Sequence, residues 1–389
     1  MVPIARTFPQ RPDSPALDSE RPRRGATVRI DTTPTGRVIA YDALRVFAIV
    51  SVVGIHSLMP YRDLLAPDTP VRLLDDLLHY AVPLFVFISG ALVWGRPWPS
   101  HPGAYRRFLV RRGTAIGLPY LAWAAAYALI FTASADKPLE AVREVPALLA
   151  SGHIWYHLYF IPMLLTFYLL TPLASRAVRF SPELLVVGAY VLRIAAGPEL
   201  AELARDLLGT QGWSWATHVL THLPHMALGA WFAMRLGVLP RIFMRSWPAS
   251  LAVGFGGLLA IYAEWLPAPI DGWTRVLFPA AMAAAVLGLV LAAFALEPRL
   301  EPHARTVTAL GALAFGVYFV HPLLLEPVFR AVAAADASWL WLTGWFGVLV
   351  FAIATGGSFA VAEAFSRSRL TSWLVGLPPA HQGQGITKN

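Results

Sequence analysis

The chain has 389 residues, of which 57% are hydrophobic and only 14% are charged. A soluble protein of this length could not bury so much apolar surface, so the composition excludes a soluble globular fold. The chain has no cysteine, which excludes disulfide bonds, thiolate catalysis and cysteine-ligated metal. Its formal net charge of +8 is not gathered into a separate basic domain, and we therefore predict no nucleic-acid partner.

The N-terminal residues 1–36 are rich in Pro, Arg, Ser and Asp and poor in apolar side chains. This composition predicts a disordered cytoplasmic tail. No apolar segment lies near Met1, so we expect no cleavable signal peptide and an uncleaved insertion signal in the first apolar block. Residues 37–366 are predicted to form one transmembrane domain, followed by a short cytoplasmic C-terminal tail, residues 367–389.

Apolar blocks recur along residues 37–366, and at about 18 to 22 residues each is long enough to cross a bilayer core as a helix. They predict an all-α integral membrane protein, a bundle of about ten transmembrane helices. Segments with helix breakers, such as "AAGPEL" at residues 195–200, separate the blocks. The predicted spans lie near residues 39–59, 77–95, 113–133, 154–173, 184–197, 215–234, 247–266, 276–296, 308–329 and 338–363.

The orientation of the chain follows from its basic residues. If the N-terminus is cytoplasmic, the cytoplasmic segments carry most of the 31 Lys and Arg residues. This bias is what positive-inside insertion produces, and it predicts an even number of spans with both termini in the cytoplasm. We find no internal repeat of the kind that would favour a secondary transporter.

The first predicted span contains "YDALRVFAIVSVVGIHS", in which Arg45 and His56 interrupt the apolar residues. The two are three helical turns apart, about 16 Å along the axis, so they share one face of the helix. Asp42 lies one turn before Arg45 and can pair with it. Because an arginine near the bilayer centre costs at least about 2.5–3.5 kcal/mol, this face should turn toward a cavity or a partner. Alternatively, Arg45 snorkels to the inner headgroups and His56 marks the outer end.

The two side chains have complementary chemistry. Histidine titrates near neutrality and can take a proton from an alcohol. Arginine keeps its charge and binds phosphate or carboxylate through two N–H groups. A proton acceptor and an anion-binding group on one face are typical of acyl transfer from a phosphate-bearing donor, although this geometry alone does not require that reaction.

Five segments of the chain carry a family pattern in chain order. The first span contains Arg-x10-His in "LRVFAIVSVVGIH". It is followed by "VPLFVFISGALVWGR" at 82–96, "RRFLVRRGTAIGLPYLAW" at 106–123, "HIWYHLYFIPMLLTFYLLTPL" at 153–173 and "LGALAFGVYFVHPLLL" at 310–325. In this order the segments resemble the acyltransferase family 3 membrane proteins, over residues 37 to about 365.

This resemblance implies a bacterial O-acyltransferase of the cytoplasmic (inner) membrane. The family's members modify polysaccharides, lipopolysaccharide, lipid-linked sugars and some macrolides. The resemblance implies transfer of an acetyl or other short acyl group from acyl-CoA, with acetyl-CoA as the expected donor, to a sugar hydroxyl of an envelope polysaccharide or lipid-linked glycan. It implies no permanently bound cofactor. A tailoring O-acyltransferase of a macrolide-type metabolite and a non-catalytic glycan exporter remain open alternatives.

The resemblance also implies roles for individual residues. His56 matches the first-span general base, and Arg45 matches the paired arginine that acts on the acyl donor; a covalent acyl-histidine intermediate remains open. Arg111 and Arg112 match the basic inner loop that meets the coenzyme A phosphates. Many members carry Arg-x-x-Arg there, which "RRFLVRRG" lacks. The two arginines that begin this segment are therefore further candidates, and ordinary positive-inside charge is the alternative for all four.

Four more residues are expected to bind substrate. Tyr318 and His321 lie three apart on one face of the ninth span. Pro322 removes a backbone donor there, so His321 either orients substrate or hydrogen-bonds a freed carbonyl. Trp155 is either an interfacial aromatic or a ring that stacks on a sugar. Ser89, with the glycine that follows it, either allows close helix contact or lines the cavity.

His218, His222 and His225 share one helical face at positions i, i+4 and i+7. Imidazoles with this spacing can bind zinc, but no H-E-x-x-H motif accompanies them. We therefore predict no metal site here, and a polar stripe that faces a cavity or the outer interface.

Overall fold

A computed structural model of the chain describes residues 38–96, 103–133, 138–263 and 271–377. The predicted N-terminal tail, residues 1–36, lies outside these ranges, as do residues 378–389 of the predicted C-terminal tail. Every regular element within these ranges is helical, which confirms the predicted all-α class.

Fifteen α-helices follow one another in the described ranges. They are α1 (Ile39–Ser57), α2 (Tyr61–Leu64), α3 (Pro70–Leu78), α4 (Ala81–Val93), α5 (Ala104–Arg112), α6 (Leu118–Ala133), α7 (Pro138–Ser151), α8 (Phe160–Leu169), α9 (Thr171–Phe180), α10 (Pro182–Arg235), α11 (Arg241–Met244), α12 (Trp247–Tyr262), α13 (Asp271–Leu300), α14 (Ala304–Ala334) and α15 (Trp345–Arg367). A π-helical turn, Gly113–Gly117, joins α5 to α6, and short 3-10 turns follow α13, α14 and α15.

Six helical segments in the described part of the chain are long and apolar enough to cross a membrane. There are seven if α8 and α9, which meet at 60°, form one broken span. This finding supports a multi-pass membrane protein. Two of the six segments, Pro182–Arg235 and Arg275–Ala334, have 54 and 60 residues, and each contains two of the predicted spans. The number of ten spans and the cytoplasmic position of both termini remain predictions.

Helix α10 runs through the separator that the sequence predicts at residues 195–200 and includes Pro198. Its backbone leaves the helical region instead at Gly209, where φ is 72°. Glycine adopts a positive φ readily because it has no Cβ. The fifth and sixth predicted spans are therefore two arms of one kinked helix, and the break lies at Gly209.

The fourth predicted span is helical only from Phe160, where α8 begins. Residues 152–159, which we call the turn segment, form turns instead of helix. Parts of it are deeply buried: Leu158 is fully buried and His157 is 3% exposed. Non-helical backbone is tolerated at membrane depth only where protein surrounds it or a cavity borders it. The turn segment thus belongs to the interior of the bundle.

Helix α1 lies at the centre of the bundle, where it packs against α4, α13, α14 and α15. Ala40, Ala48, Ile49 and Val53 are fully buried in these contacts. Their small or branched side chains let the neighbouring helices pack closely on α1. Polar groups on so central a helix need partners or a cavity within the protein, because they lie away from the lipid headgroups and bulk water.

Helices α4 and α10 cross with their backbones in contact. A Cβ at Gly90 would collide with the carbonyl group of Met226, and a Cβ at Gly229 would collide with that of Phe87. Small residues on both helices therefore allow this close crossing, as is common between membrane helices. The contact holds Ser89, the neighbour of Gly90, in position beside the cavity described below.

The chain returns to the bundle after α15. Ser372 is fully buried and Val375 is 1% exposed. The indole N–H of Trp123 on α6 donates a 2.9 Å hydrogen bond to the carbonyl of Leu374. Residues 372–377, which the sequence places in the C-terminal tail, therefore pack on the transmembrane domain, and we call them the C-terminal segment.

Candidate active site

A cavity of about 560 Å³ lies between α1, α4, α8, α14, the turn segment and the C-terminal segment. This volume is typical of sites for small molecules, which range over about 300–1,000 Å³. Most of its lining is apolar or aromatic. The charged, imidazole and hydroxyl groups that line it belong to Arg45, His56, Arg62, His79, Ser89, Arg112, Tyr156, His157, Tyr159, Tyr168 and Tyr318.

Arg45 and His56 both line this cavity, as their shared helical face predicts. Nη1 of Arg45 lies 2.5 Å from Oδ1 of Asp42, one turn earlier on α1. The Asp42 side chain is 1% exposed and that of Arg45 is 25% exposed. The carboxylate therefore compensates the arginine inside the protein. Arg45 thus borders the cavity with its charge balanced by a buried carboxylate.

The imidazoles of His56 and His321 form a hydrogen bond. Nδ1 of His56 lies 2.7 Å from Nε2 of His321, and the rings are nearly parallel with centroids 4.9 Å apart. His321 is fully buried, and its Nδ1 lies 3.0 Å from the carbonyl oxygen of Val317. His321 thus bonds a backbone carbonyl through Nδ1, although the carbonyl that Pro322 leaves without its helical donor is that of Tyr318. The other nitrogen of His321 contacts His56.

The position of the protons in the His56–His321 pair follows from the hydrogen bond between His321 and the Val317 carbonyl. A carbonyl oxygen only accepts hydrogen bonds, so His321 donates through Nδ1. In a neutral His321 ring, Nε2 is then the acceptor, and His56 donates to it through Nδ1. We therefore assign the neutral pair a tautomer in which His56 keeps an unprotonated lone pair on Nε2.

The turn segment supplies further side chains beside His56. The ring centroid of Tyr156 lies 4.7 Å from that of His56, and the ring centroid of His157 lies 6.3 Å from it. The His157 ring is also 5.2 Å from that of His321. Tyr318 lines the cavity and donates its hydroxyl to the His157 carbonyl at 2.7 Å. Tyr318 thereby ties the turn segment to α14.

Arg112 is the one candidate of the basic segment that lines the cavity in the described structure. Its guanidinium lies 5.3 Å from the ring centroid of Tyr168, within the range of a cation–π contact. The π-helical turn that follows Arg112 contributes Ala115 to the cavity; such turns often occur at functional sites. The other three arginines do not line the cavity and are exposed; they are Arg106, Arg107 and Arg111.

A third arginine, Arg62, lines the cavity after the end of α1. Arg62 donates two hydrogen bonds to Asp75, from Nε at 2.7 Å and from Nη2 at 3.0 Å. These hydrogen bonds raise the pKa of Arg62 and keep its guanidinium charged. Asp75 is 2% exposed. His79 donates through Nδ1 to the Asp75 carbonyl at 2.8 Å, so one aspartate positions both cavity-lining groups.

Ser89 lines the cavity, whereas Trp155 does not. Trp155 is half-buried and packs within the bundle, with its ring centroid 5.0 Å from that of Tyr127. Its two predicted roles, an interfacial aromatic and a ring that stacks on a sugar, remain predictions. Among the described residues, no group of three or more His, Asp or Glu side chains is arranged to hold a metal ion.

A comparison of the chain with known protein families agrees with these features. The family model described as an acyltransferase domain matches residues 38–363. The chain belongs to acyltransferase family 3. No curated protein and no solved structure matches this acyltransferase. The match covers the five segments that carry the resemblance in the sequence, as well as the helices between them.

Several residues of the acyltransferase's cavity were not identified from the sequence. Arg62 in α2 and Asp75 in α3 lie between the first two predicted spans, where charged residues suggest an ordinary loop. His79 follows α3, at the start of the predicted span 77–95. Tyr156 and His157 lie at the start of the fourth predicted span, 154–173, which was expected to be helical. The spacing between Arg62 and Asp75 follows no helical period, so it does not predict their ion pair. In the turn segment, the one sequence signal is the pair of imidazoles at His153 and His157.

Proposed function

We propose that this protein is a membrane O-acyltransferase that moves an acetyl or other short acyl group from acyl-CoA to a hydroxyl. We propose a sugar of an envelope polysaccharide or lipid-linked glycan as the acceptor, and the bacterial cytoplasmic (inner) membrane as the location. The observation that carries the proposal is the hydrogen-bonded pair of His56 and His321 at a cavity that also contains Arg45 and Arg112.

The histidine pair supports a general-base role for His56. Its Nε2 lone pair is available to take a proton, because Nδ1 is engaged with His321. When His56 becomes charged, its Nδ1–H keeps donating to Nε2 of His321, which spreads the positive charge over two rings. The same geometry orients the His56 ring, since parallel packing on the buried His321 leaves it little freedom.

The arginines support an acyl-CoA donor. Arg45 and Arg112 offer guanidinium groups suited to the phosphates of coenzyme A. Arg45 lies about three helical turns, or about 16 Å, from His56 along α1. The pantetheine arm of coenzyme A would bridge this distance and bring the thioester to His56. The depth of His56 in the first span is therefore compatible with a donor that binds at the arginine end of the cavity.

The acceptor would enter from the other end, past Arg62 and His79. Its hydroxyl oxygen attacks the thioester carbonyl carbon while Nε2 of His56 takes the hydroxyl proton. The new C–O bond forms and the carbonyl electron pair moves onto oxygen. When the C=O bond re-forms, the C–S bond breaks, and the coenzyme A thiolate leaves with the proton from His56. A hydroxyl on a macrolide would follow the same steps.

The test is coenzyme A release by the purified protein in lipid nanodiscs. Acetyl-CoA is supplied with a panel of oligosaccharides, lipid-linked sugars and macrolides, and free thiol is measured with a chromogenic reagent. The chain has no cysteine and therefore adds no background. We expect thiol release that depends on one acceptor class, an acceptor heavier by one acetyl group in mass spectra, and loss of both in His56→Ala.

Two results would contradict the proposal. The first is undiminished acetyl transfer by His56→Ala. The second is a wild-type protein that releases no coenzyme A with any acceptor class but transports glycans across the membrane of proteoliposomes, which would favour an exporter.

A further inference from the structure

His157 is a buried polar group that the steps above do not use. It is 3% exposed, and neither of its ring nitrogens has a hydrogen-bond partner among the described residues. It lines the cavity beside the His56–His321 pair. A buried polar group without a partner is destabilising, so a group of this kind in a cavity is suited to a ligand that supplies the missing bond.

Tyr156 presents a second unused donor on the same side of the cavity. Its hydroxyl oxygen is buried, and its proton has no acceptor among the described side chains. Its ring packs on His56, with centroids 4.7 Å apart. Because Tyr156 and His157 are consecutive residues of the turn segment, both donors are presented by one piece of backbone.

The structure holds this piece of backbone in place. The Tyr318 hydroxyl donates to the His157 carbonyl at 2.7 Å, and the rings of His157 and Tyr318 are 5.0 Å apart. The ring of Tyr127 packs on His157 from another side, with centroids 5.3 Å apart. These contacts position the imidazole without using its nitrogens, so its orientation does not depend on bound substrate.

We propose that Tyr156 and His157 form a donor pair that binds the thioester carbonyl oxygen and stabilises the negative charge formed on it when the acceptor attacks. This inference rests on the proposed function. A neutral imidazole has one N–H in either tautomer, and the tyrosine contributes its O–H. Donors fixed in advance in a site that excludes water are especially effective at this task, because they need not reorganise during the reaction.

The proposed step uses the same bonds as before. As the acceptor oxygen bonds to the carbonyl carbon, the carbonyl electron pair moves onto oxygen, which accepts hydrogen bonds from Tyr156 and His157. His56 holds the proton removed from the acceptor. On collapse, the electron pair returns to the carbonyl, the C–S bond breaks and the thiolate takes the proton. The donor pair gives up no proton and forms no covalent bond.

The test compares Tyr156→Phe and His157→Leu with two matched variants. Tyr190→Phe removes another buried hydroxyl without a partner among the described residues, and His225→Leu replaces another buried imidazole whose nitrogens have no such partner. Neither Tyr190 nor His225 lines the cavity. The measurements are kcat and KM for acetyl-CoA in nanodiscs, acetyl-CoA binding by calorimetry, and the thermal midpoint.

We expect Tyr156→Phe and His157→Leu each to lower kcat by about 10²-fold, as loss of one oxyanion donor does in other acyl transfers. Acetyl-CoA binding should change less than threefold, because the charge exists only in the transition state. His157→Asn, which retains an N–H donor, should recover part of the loss. Tyr190→Phe and His225→Leu should retain wild-type kcat.

Three outcomes overturn the inference while the proposed function stands. These are wild-type kcat in both donor variants, an equal loss of kcat in the matched variants, and an acyl group trapped covalently on His157, which would make it a nucleophile. A wild type that releases no coenzyme A would overturn the proposed function together with the inference.

Discussion

Nδ1 of His56 on the first helix lies 2.7 Å from Nε2 of His321 on the fourteenth. The bond joins the first and the last of the five segments that carry the family pattern. It leaves Nε2 of His56 as the one nitrogen of the neutral pair with a free lone pair. The activity of the protein should therefore depend on both rings, but in different ways.

Replacement of His56 by Ala removes the proposed base. We expect kcat to fall by about 10²–10⁴-fold, the usual contribution of a positioned general base. Acetyl-CoA binding should persist, because Arg45 and Arg112, the proposed phosphate ligands, are unchanged. Steady-state kinetics and calorimetry on the same preparation check both parts, and an enzyme that loses binding as much as turnover would contradict the assignment.

Replacement of His321 by Leu leaves the His56 ring in place but removes the acceptor for its Nδ1–H. We expect a loss in kcat of about 10²-fold, at the lower end of the range for a lost base function, because the preferred tautomer is no longer held. His321→Gln offers a carbonyl oxygen in a similar place and should recover part of the activity. If Leu and Gln behave alike, His321 acts only through packing.

Replacement of Arg112 by Ala tests the donor end of the cavity. A charged hydrogen bond contributes about 1.5–3 kcal/mol, which corresponds to a rise in KM for acetyl-CoA of about 10- to 100-fold. Arg106→Ala removes an exposed arginine of the same helix, outside the cavity, and should change KM less than twofold. Similar effects in the two variants would show that bulk charge, and not Arg112 itself, attracts the donor.

Replacement of Gly90 by Ala tests the crossing of α4 and α10. The new methyl group would meet the Met226 carbonyl, and such overpacking costs about 1–3 kcal/mol. We expect a lower thermal midpoint in detergent. Gly256→Ala adds the same methyl group to α12 where nothing lies within 4 Å, and it should leave stability unchanged or slightly improved. Equal midpoints for the two variants would argue against the close crossing.

Truncation tests the C-terminal segment. A chain that ends at Arg367 loses Val375, Gly376 and Leu377, which line the cavity, and we expect it to lose most of its acyl transfer. A chain that ends at Leu377 keeps every lining residue and should retain its activity. Full activity in the shorter chain would show that the cavity does not need this segment.

The sequence predicts the helical class and the cavity face of α1 correctly because both rest on local periodicity. Two polar side chains three turns apart on an apolar helix are stable in a membrane protein mainly when they face an internal cavity or a protein partner. The family resemblance identifies His321 as a site residue. Its partner His56 is 265 positions away, so spacing within one helix cannot predict that the two are in contact.

The turn segment and the helix lengths were harder to predict for physical reasons. Hydropathy measures apolar content but not backbone shape, so a buried non-helical stretch such as residues 152–159 looks like the start of a span. Glycine and proline residues indicate where a helix can break, but not at which of several such residues it does break. Helix α10 continues through Pro198 and kinks at Gly209. Ion pairs such as Arg62 with Asp75 depend on how α2 and α3 pack, which no local pattern encodes.

The C-terminal segment has a consequence for the folding pathway. The cavity is bounded by α1 and by Val375, Gly376 and Leu377, so residues that lie far apart along the chain form its walls. Contacts between such distant residues form slowly, because closing a long loop costs more conformational entropy than forming a local helix. Formation of the individual helices therefore does not complete the pocket, which closes only when the C-terminal segment packs against α6 and α14.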